Sequence, residues 1–540
     1  MKQAPKKIYK LLIILLICAF FAGLLPVTRL VYSKDRSIYQ TMKTNMAVLN
    51  QIIRVINDLY FEPVEWDDLW NGAFQGLMNK LDPHSVYIPP KQQEEIAELF
   101  QGKFQGIGIE FDILHGYITV ISPVADSPAE RVGLQSGDQI IEIDGEDAYQ
   151  ITREEVFQKL RGTKGSAVEI TVSRLGLEKP FKVIIIRDDI PIYSIRAAIM
   201  LDDSTGYIVL ARFSATTIDE LRKAISKLEN EGMRRLVFDL RNNGGGYLEQ
   251  AAEVANMFIA RRDTLVYTVG KRREMNQVFM ADPHKGREDF PLIVLLNRGS
   301  ASASEIVAGA IQDLDRGLIV GETSFGKGLV QRQLALDNGS ALRVTIARYY
   351  TPSGRLIQRP YKDGNIRDYY SGLMDKDREA QIDSLLATRP KYHTRANRIV
   401  YGGGGITPDL HIPWELDLNS ANRALLTNPK RPMFNWGALF LSEHKAELRD
   451  YQSFQINWTL SDDQFNSFLS YLGEEDIKYD SLAVEQDKDY LKNMLKAEIA
   501  GANWGNDEES GIRRIYDNQV MGALNYFDEA AAFISNAVAN

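Results

Sequence analysis

PLIVLLNRGSASASEIVAGA, residues 291–310, decides the fold. An almost wholly apolar strand runs through a turn of small residues into a helix over residues 304–313. A strand apolar at nearly every position expects cover on both faces, as in a largely parallel sheet between helical layers. Towards the amino terminus, RLVFDLRNNGGG (235–246) repeats the strand-and-turn plan and opens into a helical stretch over 247–260. Beyond it lie GYIVLARF (206–213) and a helical stretch over 217–229. Towards the carboxyl terminus, GLIVGE (317–322) adds another apolar strand, and Asp337-Asn338-Gly339 turns a hairpin between LVQRQLAL and SALRVTIARYY. Residues 190–414 are therefore expected to form a mixed α/β core.

The pattern changes on either side. Residues 102–189 hold short strand-like runs with turns (GIGIEF, YITVISPV, QIIEIDGEDA, AVEITVSR, FKVIIIRDD), which predict a small, mostly β module. Before it, apolar residues recur at helical spacing from Met46 to Tyr60 and again from Trp66 to Leu81, closed by Pro83, Pro89 and Pro90, so residues 33–101 form a helical lead-in. Residues 415–540 are helical in tone and poor in motifs. They are expected to be an extension without chemistry of its own, most simply partner-binding or oligomerising.

Composition excludes several functions. At 540 residues the chain is long enough for two to four domains. With 63 Lys+Arg against 72 Asp+Glu, a net charge of -9 and no basic-aromatic stripe, nucleic acid is not an expected partner. Cys18 is the only cysteine, and the six histidines are scattered without HExxH, so thiol chemistry and a metal site are not expected. Residues 1–32 carry the one targeting feature: Lys2, Lys6, Lys7 and Lys10, then an apolar run from Leu11 to Val27. Such a run spans roughly 25 Å as a helix, short but adequate for a bilayer. A cleaved signal peptide and a retained anchor compete. No small-x-small site follows the run and Ile17 precedes Cys18, which favours the anchor, with the lysines cytoplasmic and the rest across the membrane.

Three motifs can carry chemistry. In GSASASEIVAGA, Ser302 stands at a helix entrance; with Glu305 it fits a helix-capping pair, yet a serine there also sits among free amides, and the Ala303 N–H could receive an oxyanion. In DLRNNGGGYLEQA the consecutive glycines allow close backbone approach, as either a tight turn or an anion cradle, and lack the lysine and hydroxyl of a phosphate loop. In TSFGKGLVQRQ, Lys327 lies between two glycines and two apolar strands. Desolvation there could lower its pKa from about 10.4 to about 7 or 8, at roughly 3 to 5 kcal/mol, and make a neutral amine available as base. Ser324 is a rival nucleophile by its S-x-x-K spacing, discounted because Gly326 and Gly328 argue for a loop.

In this order, behind this β module, the motifs resemble the carboxyl-terminal processing peptidases, or tail-specific proteases, over about residues 49–413. The resemblance implies a crotonase-like β/α protease core, with Ser302 as nucleophile, Lys327 as base and Gln331 holding the lysine. It also implies an oxyanion hole from two amides, taken here as Gly245 and Ala303. The family's glycine loop commonly carries a proline where Gly244 stands, which leaves open which loop amide serves. The module at 102–189 resembles a PDZ domain, with Gly106, Ile107, Gly108 and Ile109 as its peptide-binding loop. The implied substrates are proteins or peptides ending in small or apolar residues, and no cofactor is required. The implied location is the bacterial inner membrane, with the catalytic part in the periplasm. A homo-oligomer or an adaptor partner is compatible with it. Two rivals stand beside this reading. One is a catalytically silent PDZ adaptor, opposed by the joint presence of Ser302, Lys327 and Gln331. The other is a crotonase-type enzyme acting on small thioesters, opposed by the PDZ module and the exported location.

Overall fold

The structure is a computed structural model describing residues 38–361, 366–374, 378, 382–416, 418–448 and 450–539. The chain divides into two compact units, Met1–Gly76 and Leu77–Asn540. In the first, residues 38–59 are helical; a further helix, Trp66–Met78, begins there. The apolar run Leu11–Val27 lies outside the described residues. Among the described residues no helix is long and apolar enough to cross a membrane.

The second unit opens with β1 (Val86–Ile88) and α1 (Pro90–Gln101), whose Gly102 cap takes the left-handed conformation at φ 75°. The β module is an insert whose ends lie side by side. β2 (Lys103–Gly106) enters it; β3 (Ile109–Leu114), β4 (Tyr117–Pro123), β5 (Gln139–Ile143), α2 (Arg153–Leu160), β6 (Ala167–Ser173) and β7 (Phe181–Ile186) build it; β8 (Asp188–Pro191) leaves antiparallel to β2. Its sheet runs β3-β4-β5-β6-β7, so β3 is an edge strand. The module has its own core, around Ile118, Ile140, Val156 and Ile170.

The main sheet contains β9 (Ile195–Met200), β10 (Thr205–Leu210), β11 (Arg235–Asp239), β14 (Leu292–Leu296), β15 (Leu318–Gly321) and β18 (Leu410–His411), in that spatial order. Every pairing is parallel except β9 with β10, in line with the expected parallel core. Between these strands come α3 (Thr217–Asn230), α4 (Leu248–Phe258) and α5 (Ala303–Asp313). A second, antiparallel sheet sets β1 and β12 (Thr264–Gly270) along β17 (Ala341–Tyr350), with β13 (Val278–Met280) on β12 and β16 (Leu329–Ala335) on β17. The result is the mixed, layered α/β arrangement expected of the protease core.

Period-two alternation explains why the main strands are apolar throughout. Leu236, Phe238, Leu292, Val294 and Leu296 face one cluster with α3, α4 and α5. Val237, Ile293 and Leu295, between them, face another. The carboxyl-terminal extension covers that second face. Its α6 (Pro432–His444), α7 (Asp462–Glu474) and α8 (Lys488–Asn503) form a separate core, and then α9 (Asn506–Arg513), α10 (Asn518–Ala523) and α11 (Phe527–Ala539) return to the sheet. Val520, Ala523, Phe527 and Ala530 pack on Val237, Ile293, Leu295, Leu318 and Val320. The extension, expected to be most simply a partner-binding or oligomerising addition, thus also packs its last helices on the protease core.

Phe527→Ala should accordingly cost about 3–5 kcal/mol of folding stability. Ile456→Ala, at a side chain 77% exposed in the same extension, should change it by less than about 0.5 kcal/mol. Urea unfolding of both variants checks the contrast, and equal effects would deny the extension its place in the core.

Candidate active site

Ser302 is the residue before α5, a helix buried along its whole length. Its backbone sits at φ 56°, ψ -109°, a conformation that costs of order 1–3 kcal/mol for a residue with a Cβ. Surrounding bonds hold it there. Asn243 C=O accepts the Ala301 N–H at 3.0 Å and the Ser304 hydroxyl at 2.8 Å, and the Tyr349 hydroxyl donates to Ser302 C=O at 3.1 Å. In the capping pair that Ser302 forms with Glu305, the Glu305 carboxylate accepts the Ser302 N–H at 2.8 Å.

Glu305 is fully buried and does more than cap. Its Oε2 also accepts the Lys327 N–H at 2.9 Å, and its Oε1 accepts the Gly326 N–H at 2.7 Å and the Ser324 hydroxyl at 2.5 Å. Four donors on two oxygens are the set an ionised carboxylate requires. Burial pushes its pKa up, and these donors, Ser324 foremost, oppose the rise. Ser324 is thereby occupied: its hydroxyl is buried, donates to Glu305 and accepts the Ile406 N–H at 2.7 Å, so it is a structural pin.

Lys327 lies in the loop before β16. Its Nζ donates to Gln331 Oε1 at 2.8 Å, and Gln331 Nε2 donates to the carbonyl of His84. The His84 segment is fixed in turn by Asp82, which accepts the N–H groups of His84 and Ser85 at 2.8 Å each and the Ser85 hydroxyl at 2.7 Å. Burial, joined by the Arg343 guanidinium, lowers the Lys327 pKa to about 8, while Glu305 and Asp82 oppose the fall. The His84 imidazole, pushed down to about 4 by burial and by Lys327, is neutral and faces the Tyr369 hydroxyl at 3.1 Å.

Ser302, Ala303, Lys327, Gln331 and Gly244–Gly246 line one cavity of about 950 Å³. Among the described residues no hydrogen bond joins Ser302 Oγ to Lys327 Nζ, as is common before substrate binds. The Ala303 N–H takes no partner among the described residues. Gly245, expected to share the oxyanion with it, lies against Ser302: a Cβ there would stand 3.0 Å from both the Ser302 Cβ and the Ala303 N, and its φ is +101°. Its N–H donates to Asn243 Oδ1 at 2.9 Å, so the amide expected to share the oxyanion with Ala303 is engaged within its own loop. An asparagine side chain two residues back captures the amide first, as in an Asx turn.

Gly106–Ile109 lie apart from this cavity, at the entrance to the edge strand β3. The Ile107 and Gly108 carbonyls accept from Ala129 and Val124 at 2.9 and 3.0 Å, whereas their amides have no partner among the described residues. Gly108 has φ +84°, and a Cβ there would meet Ser127 Cβ at 2.3 Å, so only glycine fits. An open strand edge headed by two unoccupied amides has the form that accepts a peptide strand and its terminal carboxylate. Among the described residues no group of three or more His, Cys, Asp or Glu side chains could hold a metal ion.

No motif in the sequence marks Glu305 as a link between loops, or Asp82, Asn243 and Arg343 as supports of the site; His84 is one of the six histidines for which no metal role is expected. A carboxylate in an otherwise small and apolar helix, EIVAGAI, was the one available signal for Glu305.

Comparison with known proteins adds the following. Residues 204–368 match peptidase family S41 and residues 119–174 the PDZ domain family. Residues 431–505 match a family of unknown function, and residues 27–91 the N-terminal domain of the activating protease CtpB. The chain is 37% identical over 325 residues to a carboxy-terminal-processing protease of Bartonella bacilliformis, covering 59% of this chain and 74% of the relative. It is 33% identical over 333 residues to the carboxy-terminal processing protease CtpB of Bacillus subtilis, covering 60% and 69%. Among solved structures it is similar to a photosystem II D1 C-terminal processing protease, at 27% identity over 66% of this chain and 84% of that one, with a TM-score of 0.33.

If Lys327 acts as a neutral base, kcat/KM should rise with pH and level off above about pH 8, because the amine is mostly protonated below its pKa. Arg343→Gln removes a cation that disfavours the ammonium, so the rise should move to higher pH. A pH–rate profile of wild type and variant checks both; a profile that Arg343→Gln leaves in place would contradict the assignment.

Proposed function

We propose, for a chain that belongs to the carboxy-terminal processing proteases of peptidase family S41, an acyl-enzyme mechanism run by Ser302 and Lys327 on substrates chosen by their carboxyl tails. The chain is a serine-type peptidase carrying a PDZ domain. The observation that carries the mechanism is the single buried carboxylate, Glu305, that ties the backbone of Ser302 to the backbone of Lys327 at the edge of one cavity.

Neutral Lys327 Nζ takes the Ser302 hydroxyl proton, held in line by Gln331, while Oγ bonds to the scissile carbonyl carbon. The Ala303 N–H and an amide of the glycine loop stabilise the oxyanion. Collapse breaks the C–N bond, and the Lys327 ammonium returns the proton to the leaving amine. Water then attacks the ester with Lys327 again as base, releasing acid and free Ser302.

The PDZ edge strand takes the substrate tail, with the Ile107 and Gly108 amides on its carboxylate and small or apolar side chains favoured at its end. The engaged Gly245 amide and the lack, among the described residues, of a hydrogen bond between Ser302 Oγ and Lys327 Nζ support a resting arrangement that tail binding converts to the active one. The reading includes an anchor at Leu11–Val27 in the bacterial inner membrane and a periplasmic catalytic part, supported by the apolar run behind four lysines.

Cleavage of an unfolded protein with an apolar tail tests the dyad. Ser302→Ala and Lys327→Ala should lose at least about a thousandfold in kcat, Gln331→Ala less, and a wild-type rate in either of the first two variants refutes it. A tail peptide added in trans should speed cleavage of a tail-less substrate, and its carboxamide should not. Equal effects of acid and amide would remove the carboxylate from the recognition.

A further inference from the structure

Directly before the glycine loop stands Arg241, its guanidinium almost wholly buried, with a side chain 10% exposed. Two carboxylates and an amide grip it. Asp239, the last residue of β11, accepts from Nε at 3.0 Å and from Nη2 at 2.6 Å. The other grip comes from the carboxyl-terminal extension: Asp517 accepts from Nη1 at 3.0 Å and from Nη2 at 2.7 Å, and Gln519 Oε1 accepts from Nη1 at 2.8 Å. The extension is itself braced at this point. Gln519 Nε2 donates to Ile412 C=O at 2.7 Å, Asn518 Nδ2 to Pro413 C=O at 2.8 Å, and Asp507 accepts the Ala198 N–H at 2.9 Å and lies 2.8 Å from Lys227 Nζ.

We infer that Asp517, with Gln519, is a positioning residue for the oxyanion-binding loop, so that the extension takes part in catalysis by fixing Arg241 at the root of residues 242–246. Only three residues separate Arg241 from Gly245. The loop is also tied to the main sheet and the serine turn, by Asn242 N–H to Asn297 Oδ1 at 2.9 Å, Asn243 Nδ2 to Leu210 C=O at 2.8 Å, Ala301 N–H to Asn243 C=O at 3.0 Å and Phe213 N–H to Gly245 C=O at 3.1 Å, whereas Asp517 and Gln519 tie Arg241 to the extension. A bidentate ion pair from the extension fixes direction as well as distance. Displacement of a loop amide by a fraction of an ångström weakens transition-state stabilisation without touching the substrate's binding groups. The inference rests on the Ser302 acyl-enzyme reading.

Asp517→Asn is the informative variant. Asp517 also caps α10 by accepting from Gln519 and Val520, and asparagine caps a helix as well as aspartate does, so the change removes the charge on Arg241 and keeps the cap. Kinetics on a tail-bearing peptide, with active sites counted by a fluorophosphonate that labels Ser302, should show kcat per labelled site falling about ten- to a hundredfold. KM and the pH at which the rate rises should stay near wild type, and activity is read well below the variant's melting temperature, which the lost charge beside Arg241 should lower. Gln519→Leu should give a smaller loss of the same kind, and serves if Asp517→Asn does not fold. A wild-type kcat per labelled site, or a loss explained by the unfolded fraction alone, while Ser302→Ala is inactive, overturns the positioning role by itself. Cleavage retained in Ser302→Ala overturns both, since no oxyanion at Ser302 would remain to be served.

Discussion

Burying a carboxylate costs several kcal/mol unless protein donors replace the water it leaves. At Glu305 the donors come from two segments that the sheet brings to the same edge: the serine turn after β14 and the lysine loop after β15. The anion is affordable only when both segments are in place, so its solvation need makes the site assemble as one piece. Ser302 keeps a strained backbone and Lys327 gives up hydration on the same account, because each contributes its amide to the carboxylate and its side chain to the cavity.

Around that point the architecture is a series of fixed distances. Lys327 is held through Gln331 to the His84 carbonyl, and Asp82 holds the His84 turn, so the lead-in to the protease core helps to place Lys327. The insert and the extension also meet: His115 of the PDZ module lies 3.0 Å from Glu475, and Gly137 approaches Ala438. The extension thus touches the PDZ module at one end and Arg241 at the other, and so joins two segments that sequence order keeps far apart.

Much of this was legible in the string of residues. Leu292, Val294 and Leu296 alternate with Ile293 and Leu295, and that alternation alone demanded two covering layers. Ser302 and Lys327 stood out by residue type and setting, and the resemblance to tail-specific proteases joined them. Other parts were closed to such reading for physical reasons. Glu305 three residues after a helix-entry serine looks the same whether it caps one helix or solvates itself on four donors from two loops. The Gly245 amide was assigned without its competitor, since the reach of the Asn243 side chain depends on the loop's conformation. Val520, Ala523, Phe527 and Ala530 have the spacing of an apolar helix face, but periodicity says that a face is covered and not by what. The Arg241–Asp517 pair spans 276 positions and leaves no local trace.

The central claim is that Ser302 carries the acyl group, and trapping that intermediate tests it most directly. A slowly hydrolysed peptide ester with an apolar tail would be mixed with the protein, quenched in acid and digested with trypsin, and the adduct located by fragment mass spectrometry. The account predicts the acyl group on Ser302 within residues 299–316, absent in Ser302→Ala. An adduct on Ser324, or on any other residue while Ser302 stays unmodified during turnover, would contradict it.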